Sequence, residues 1–302
     1  MACVKLEDLE KYLKLVSVCK SSNVKTVQIK TPEVIRPGLQ MAGYFGIFSH
    51  ERIQVLGMTE IYYINTLTKE EKEERLDKFF SYDIPVLIIA NDMEVDEDIV
   101  KFAKKHDRTV MSSCRDTMKL VSDIVNYLEE QLAPEITVHG VCTEVFGIGV
   151  FIRGKSGIGK SETALELVKR GHRLIADDAI LIRKIDNILK GYCPELTKHL
   201  LEIRGIGILN VMQLYGVGAV KINQNINLIV NLEEWESQKE YDRLGIDEEK
   251  AEILGVKVPQ ITIPVRPGRI IATIVEVAAK NYRQKLLGYS SLDTYNMKFF
   301  NE

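Results

Sequence analysis

A phosphate-binding loop is the feature that most restricts how this chain can fold. The template G-x-x-x-x-G-K-[ST] matches twice, at Gly149…Gly154-Lys155-Ser156 and at Gly154…Gly159-Lys160-Ser161. Such a loop needs flexible residues whose backbone N–H groups curl around an anion, between a strand and a helix. The upstream match fills its variable positions with a mostly apolar run typical of a strand, whereas the downstream match is rich in glycine. We therefore predict that the phosphate-binding residues are Gly154, Lys155, Ser156, Gly157, Ile158, Gly159, Lys160 and Ser161.

The chemistry of this loop favours nucleotide phosphates together with Mg²⁺. The loop amides and the positive end of the following helix attract phosphate oxygens. Lys160 would place a positive charge near the β and γ phosphates, and the Ser161 hydroxyl is the expected Mg²⁺ ligand. The alternative is a chance match, which the strand–loop–helix context disfavours. The loop predicts a phosphotransferase.

Two consecutive carboxylates lie in the next predicted strand, at Asp177 and Asp178. An enzyme with this loop needs a carboxylate at the end of a neighbouring strand to hold Mg²⁺. Because adjacent side chains of an extended segment point to opposite faces, we expect one carboxylate to hold the metal and the other to face the acceptor. Taken alone, the pair fits a turn or a helix N-cap equally well.

Four further segments are weaker candidates on the residues alone. His139 stands upstream of the predicted nucleotide strand, and a single histidine is more often a satisfied polar residue than a catalyst. Glu202 precedes two nearby glycines, and Arg243 reads as a solvated arginine. The segment Pro264-Val265-Arg266-Pro267-Gly268-Arg269 is a stiff basic loop that either meets phosphate or forms a surface turn.

The hydrophobic pattern predicts an α/β protein of two domains. In the first half, helical spacing of Leu6, Leu9, Leu13 and Val16 predicts an opening helix. Strands at 86–89 and 109–111 alternate with helices at 96–106 and 116–132. Pro134 interrupts the pattern, so we expect an N-terminal α/β domain over 1–132 and a catalytic domain over 133–302. In the second half, we expect strands at 147–153, 173–180, 220–232 and 256–266 and helices at 162–170 and 271–287.

The net charge and the cysteine content indicate which kinds of partner and which cellular compartment to expect. A net charge of −3 gives no basis for binding nucleic acid or a membrane surface through bulk electrostatics. The five cysteines are scattered without a CxxC pair, which is typical of free thiols in a reducing compartment. Acidic residues interrupt the N-terminus, where a signal peptide would need an apolar core, and no apolar run is long enough to cross a bilayer. These features predict a cytoplasmic protein.

Taken together, the motifs resemble the HPr kinase/phosphorylase family over nearly the whole chain. The matching segments are Arg36 to Phe45, Val138-His139-Gly140, Gly154 to Glu162, Ile175 to Asp178, Leu201 to Val211, Tyr241 to Gly245 and Pro264 to Arg269. The loop alone is shared by many families, but the segments around Glu202 and Pro264 are specific, and no motif is missing.

The resemblance implies a bifunctional enzyme that phosphorylates a regulatory serine of HPr, a small carrier protein of the bacterial sugar phosphotransferase system. The same enzyme would remove that phosphate by attack of inorganic phosphate, releasing pyrophosphate, and so regulate carbon catabolite repression. The donor would be ATP or pyrophosphate, with Mg²⁺. The family resembles phosphoenolpyruvate carboxykinases around the nucleotide and forms hexamers through the catalytic domain.

The resemblance also implies residue roles. Asp178 corresponds to the base that takes the serine proton and the acid that returns it, and His139, Lys160 and Arg243 correspond to catalytic residues. Ser161 and Glu202 correspond to Mg²⁺ ligands, with Asp177 close to the metal. Pro264 to Arg269 corresponds to the segment used in dephosphorylation.

Two other functions compete with this interpretation. The first is a kinase of a small metabolite, which would need no protein acceptor. The second is a nucleotide sensor that signals through conformation, and the Asp177-Asp178 pair argues against it because a sensor needs no carboxylate facing an acceptor. The sequence leaves open the metabolite effectors, the donor preference and the role of the first domain.

Overall fold

The computed structural model describes residues 3–236 and 249–289. The chain divides into two compact units, Met1–Ala133 and Pro134–Glu302, and each is described by itself. The predicted boundary after residue 132 differs from this division by one residue. No helix within the two described ranges is long and apolar enough to cross a membrane.

The first unit alternates strands and helices. Its elements are β1 (Val4–Lys5), α1 (Leu6–Leu13), β2 (Val16–Cys19), β3 (Gln28–Ile29), β4 (Val34–Ile35), α2 (Gly38–Met41), β5 (Ile53–Leu56), α3 (Met58–Thr66), α4 (Lys69–Ser81), β6 (Leu87–Ile89), α5 (Glu97–Lys105), β7 (Val110–Ser112) and α6 (Thr117–Leu132).

The five-stranded sheet of this unit is mostly parallel and is covered on both faces, while β1 and β3 form a separate antiparallel pair. Its strand order is β2-β7-β6-β5-β4, and only β2 runs antiparallel to its neighbour. Alternate residues of one strand enter different cores: Ile88 packs with α1 and α6, whereas Leu87 and Ile89 pack with α3, α4 and α5. This is the period-two alternation of a strand buried on both faces. The predicted α/β class of this unit is confirmed.

One side chain assigned to the opening helix lies outside it. The opening helix ends at Leu13, where Lys14 adopts a left-handed backbone, so Val16 belongs to β2 and is 63% exposed. The prediction failed for Val16 because helical spacing alone does not show where a helix ends. In α6, Leu120, Ile124 and Leu128 are fully buried, and Met118 near its start is 71% exposed.

The second unit is built on a larger mixed sheet. Its elements are β8 (Glu135–Val145), β9 (Ile148–Gly154), α7 (Lys160–Lys169), β10 (Arg173–Ile185), β11 (Ile188–Tyr192), β12 (Leu200–Ile203), β13 (Gly207–Asn210), α8 (Val211–Tyr215), β14 (Asn223–Glu234), β15 (Lys250–Ile253), β16 (Val256–Val265) and α9 (Ile271–Leu286). The short 3₁₀ turns are Val24–Thr26 in the first unit and Glu195–Thr197 and Val217–Ala219 in the second.

The strand order of the large sheet is β11-β10-β8-β9-β14-β16-β15. Because β11 also pairs with β14, the strands from β11 to β14 close on themselves. Strands β9, β14 and β16 are mutually parallel. Along β9, Val150 and Ile152 face α7 and α9, and Phe151 faces a second buried cluster around Ile229. The parallel strands place their carboxyl ends at one edge of the sheet.

The strand β8 is missing from the sequence-based prediction. It carries His139 and pairs antiparallel with both β9 and β10. Its first half alternates partly buried Ile136 and Val138 with more exposed neighbours, a pattern that was available in the sequence. The other predicted strands and helices of this unit are present with shifted ends, and β10 continues to Ile185 rather than stopping near residue 180.

Candidate active site

The phosphate loop lies between β9 and α7. Positions 150–153, the variable residues of the upstream template match, belong to β9, and α7 begins at Lys160. Gly159 caps this helix with φ +101°, and Gly157 has φ +81°, backbone conformations that strain a side-chain-bearing residue. Lys160 is 7% exposed, and its Nζ donates to the carbonyl oxygens of Gly154 and Lys155, both at 3.0 Å. The lysine ammonium is thus held inside the loop.

Asp177 is a buried carboxylate beside the start of α7. It is 4% exposed and accepts the Ser161 hydroxyl at 2.9 Å and the backbone N–H of Glu202 at 3.0 Å. No arginine or lysine of the described chain pairs with it. Burial raises the pKa of Asp177 above its usual range, against the lowering effect of these hydrogen bonds. A buried carboxylate without a cationic partner suits a bound cation.

Asp178 is the exposed member of the pair. Its carboxylate lies 2.9 Å from Nδ1 of His139, with side chains 69% and 53% exposed respectively. The backbone at Asp178 has φ +67°, so it leaves the extended conformation within β10. Asp177 and Asp178 line the same cavity, the first buried and the second exposed, and the expectation that one holds the metal while the other faces the acceptor stays a prediction.

The hairpin β12–β13 brings two more polar residues to this cavity. Glu202 lies on β12, and its backbone bond to Asp177 ties the hairpin to β10. Arg204 follows β12, and its Nη2 donates to Ser156 Oγ at 3.4 Å. A Cβ on Gly157 would come 2.8 Å from Arg204 Nη1, so glycine permits this close approach.

These residues surround one cavity of about 110 Å³ in the second unit. It is lined by His139, Ser156, Gly157, Gly159, Lys160, Ser161, Glu162, Asp177, Asp178, Glu202 and Arg204. A larger cavity of about 490 Å³ lies in the first unit at the amino ends of its parallel strands, around Arg108 and Thr109. None of the predicted site residues lines that larger cavity, so the chemistry points to the smaller one.

The basic loop, residues 264–269, does not line the cavity but begins at the same edge of the sheet. In the parallel register, Gly154 is opposite Leu232 of β14, and Pro264 is opposite the next residue, Glu233. Two strand spacings separate the phosphate loop from the basic loop, roughly 10 Å. Within the basic loop, Arg269 Nη1 donates to the Pro264 carbonyl at 3.2 Å, and Arg266 lies 5.0 Å from the Trp235 ring. Arg243 lies outside the described residues.

Sequence reasoning did not single out Arg204 as a site residue, although it lies in the segment around Glu202. The available signal was its place between Glu202 and Gly205 in a short charged loop. Its position against Gly157 depends on the tertiary packing of the hairpin, which a local pattern does not encode. The cavity is thus lined by two cationic side chains, Lys160 and Arg204, and by four carboxylates, Glu162, Asp177, Asp178 and Glu202.

Comparison with known families matches both units. The family model described as HPr Serine kinase N terminus matches residues 4–128, and the HPr Serine kinase C-terminal domain matches residues 130–299. The chain is 50% identical to an HPr kinase/phosphorylase of Alkaliphilus metalliredigens over 297 residues, covering 98% of this chain and 96% of the relative.

Two further relatives extend the comparison. An HPr kinase/phosphorylase of Caldanaerobacter subterraneus is 50% identical over 303 residues, covering 100% of this chain and 99% of the relative. A solved structure of the Hpr(Ser) kinase/phosphatase from Coxiella burnetii is 35% identical, with a TM-score of 0.49, and covers 53% of this chain and 98% of that chain.

Proposed function

The chain belongs to the HPr kinase/phosphorylase family, and from this membership we propose that both reactions occur at the cavity around Lys160 and Asp178. The protein is a bifunctional enzyme that phosphorylates a serine of HPr and removes that phosphate by phosphorolysis. One observation supports this site above all. A buried phosphate-loop lysine, a buried carboxylate and an exposed carboxylate line one cavity, which gives donor, metal and acceptor adjacent places.

The donor phosphates would lie on the phosphate loop. Backbone N–H groups of residues 154–161 and the N-terminus of α7 supply partial positive charge. Lys160 would exchange its bonds to the loop carbonyls for bonds to the β and γ phosphates. Arg204 would meet the same phosphates from the opposite hairpin, since its guanidinium lies against Ser156 and Gly157. Arg243 is proposed as a further catalytic cation on the resemblance alone.

The oxygen donors beside the loop fit Mg²⁺. Ser161, Asp177 and Glu202 supply a hydroxyl and two carboxylates, the ligand types this hard cation prefers. The carboxylate of Asp177 is buried and pairs with no lysine or arginine of the described residues, which supports its assignment as a Mg²⁺ ligand. When bound, Mg²⁺ would neutralise charge on the phosphate oxygens.

Asp178 would move the proton in both directions. In the kinase reaction the serine Oγ of HPr attacks the γ-phosphorus, the bond to the β-phosphate oxygen breaks, and Asp178 takes the serine proton. In phosphorolysis an oxygen of inorganic phosphate attacks the seryl phosphate, pyrophosphate forms, and Asp178 returns a proton to the departing serine oxygen. His139, 2.9 Å away, would orient the carboxylate.

The basic loop would serve the phosphorolysis reaction. Arg266 and Arg269, within the segment Pro264 to Arg269, are cationic and begin at the same sheet edge as the phosphate loop. An incoming inorganic phosphate or the phosphorylated serine needs such charge, whereas the kinase reaction already has Lys160 at its phosphates. We assign Arg266 and Arg269 to positioning that anion.

The remaining features of the proposal rest on family membership. We propose that the nucleotide-binding core is like that of phosphoenolpyruvate carboxykinases, that ATP or pyrophosphate serves as donor, and that the chain assembles as a hexamer. The partners are HPr, inorganic phosphate and pyrophosphate, without nucleic acid or membrane. All five cysteines are free, in keeping with the reducing cytoplasm.

The test is direct. The purified chain is incubated with ATP, Mg²⁺ and HPr, and phosphoserine on HPr is measured by mass spectrometry, with Lys160→Ala as the matched inactive control. Inorganic phosphate is then added, and loss of phosphoserine is followed together with release of pyrophosphate. Phosphate transfer only to small molecules would favour a metabolite kinase. Nucleotide binding without turnover would favour a sensor.

A further inference from the structure

One face of α9 makes polar contacts that the proposed reaction does not use. Thr273, Glu276, Lys280 and Arg283 are spaced three or four residues apart, so they lie along one side of the helix. Thr273 and Glu276 contact Arg170, just after α7, and Glu276 also contacts His172; Lys280 and Arg283 contact Phe146 in the turn between β8 and β9. We call these four residues the α9 stripe.

Glu276 makes the central contact of the stripe. Its Oε2 accepts Arg170 Nη1 at 2.8 Å, and its Oε1 lies 2.9 Å from Nε2 of His172, which is buried. Arg170 Nη1 also donates to Thr273 Oγ1 at 2.9 Å. Burial acts to raise the pKa of Glu276, but its hydrogen bonds with His172 and Arg170 lower it overall, so the fold favours the ionised carboxylate.

The rest of the stripe reaches the turn between β8 and β9. The Phe146 ring packs edge to face on His172, with ring centres 4.6 Å apart. Lys280 Nζ lies 4.4 Å from the centre of the same ring, and Arg283 Nη1 donates to the Phe146 carbonyl at 3.2 Å. The stripe therefore holds two segments that are far apart in sequence.

Both anchored segments lead directly to the phosphate loop. β9 starts two residues after Phe146 and ends at Gly154, and α7, which ends just before Arg170, starts at Lys160. The stripe thus contacts the start of β9 and the end of α7, which are the ends of these two elements farthest from the phosphate loop. At its own N-terminus, α9 begins at Ile271, and a single residue, Ile270, separates it from the basic loop.

The apolar side of α9 packs on the core through Ile271, Ala272, Val275 and Ala279, with Ile274 and Tyr282 partly buried against it. Apolar packing is not directional, so the polar contacts of the α9 stripe add a constraint of a different kind. Hydrogen bonds are directional, so the bonds of Glu276 select one position of α9 along its own axis. A slide by one residue would move the basic loop by roughly 1.5 Å, and a misplacement near 1 Å can cost about 10²-fold in rate.

We propose that Glu276 is a positioning residue for phosphorolysis, and this rests on the proposed role of the basic loop. By bonding Arg170 and His172, Glu276 holds α9 at one position along its own axis. At that position, Arg266 and Arg269 are presented to the phosphate at the phosphate loop. The kinase reaction depends less on this contact, because its charges come from the phosphate loop itself.

The test compares Glu276→Gln with Glu166→Gln. Glu166 also bonds Arg170, through Nε at 3.0 Å, but it lies on α7 and makes no described bond to α9. For Glu276→Gln we expect kcat/KM for inorganic phosphate to fall about 2- to 30-fold, while the kinase kcat and the ATP Kd stay within about twofold of wild type. Glu166→Gln should change none of these. Equal losses in both reactions, or no loss of phosphorolysis, would overturn the proposal.

Two further variants keep the test decisive. If Glu276→Gln does not fold, Thr273→Val removes a single hydrogen bond of the same stripe. It should give a smaller, selective loss of phosphorolysis, and an unchanged phosphorolysis rate would count against the positioning role of the stripe. Arg266→Ala separates the two hypotheses. If Arg266→Ala impairs phosphorolysis selectively while Glu276→Gln behaves like Glu166→Gln, the positioning role fails and the loop assignment stands. If Arg266→Ala spares phosphorolysis, the loop assignment fails and the positioning role with it.

Discussion

Replacing Asp178 with Asn isolates the proton transfer from every other function of the site. The backbone at Asp178 has φ +67°, a region that asparagine tolerates about as well as aspartate, whereas alanine would add strain. The asparagine oxygen can still accept a bond from His139 Nδ1, now 2.9 Å from the carboxylate. The change therefore removes the base and leaves the local geometry in place.

The expected loss follows from what a general base contributes. Proton transfer by a positioned side chain is typically worth about 10²–10⁴ in rate, or about 3–5 kcal/mol of barrier. We expect Asp178→Asn to slow serine phosphorylation by that factor and to slow phosphorolysis comparably. Nucleotide affinity should hold within about twofold, because Lys160 and Ser161 remain and Asp178 is mostly exposed.

The assay measures three quantities on one variant: ATP affinity, the kinase rate and the phosphorolysis rate. Asp186→Asn is the matched control, because Asp186 is exposed, has φ +53°, and lies in the turn between β10 and β11. If Asp178→Asn weakens only nucleotide or Mg²⁺ binding, Asp178 is a metal ligand and Asp177 becomes the candidate base. A fall in the forward rate with an intact reverse rate would refute a shared proton path.

Three other predictions address the remaining groups of the cavity. Lys160→Ala should reduce the rate of phosphoryl transfer at least about 10²-fold. Lys155→Ala, at an exposed loop position, should have a smaller effect on the kinase rate, and the opposite order would favour the upstream template match. Arg204→Met should weaken ATP binding about 10- to 100-fold, measured by titration calorimetry, and an unchanged Kd would remove Arg204 from the phosphate site. Because burial raises the pKa of Asp177, the metal-free protein should lose stability relative to Asp177→Asn as pH rises from about 4 through that pKa. Mg²⁺ affinity should fall as Asp177 is protonated. Thermal melting and Mg²⁺ titration across this pH range check both signs, and parallel melting curves for the two proteins would contradict the first.

The parts of this molecule that the sequence predicts are those specified by short-range patterns. The phosphate loop follows from glycine spacing, and the helix at Ile271–Leu286 follows from apolar periodicity. The family resemblance is confirmed by matches over both units. The resemblance also supplied roles for His139, Glu202 and Arg243 that the residues alone did not favour, and these roles remain proposals.

What the sequence does not predict depends on contacts between distant segments. β8 pairs with β10, so His139 reaches Asp178 only through a sheet register that spans about forty residues of sequence. The same pairing has an irregularity between Leu174 and Ala176, and Asp178 nearby has a left-handed backbone. No local sequence pattern predicts either feature. The approach of Arg204 to Gly157 likewise exists only in the folded hairpin.

The strained backbone at Asp178 sets thermostability against activity in this chain. A left-handed conformation costs most residues with a side chain roughly 1–2 kcal/mol and aspartate less, whereas glycine is largely free of that cost. Directed evolution that selects only for resistance to heat would therefore tend to accept Asp178→Gly, a change that also removes the proposed base. Such a selection would yield melting-resistant but inactive proteins unless phosphoryl transfer is screened in the same round.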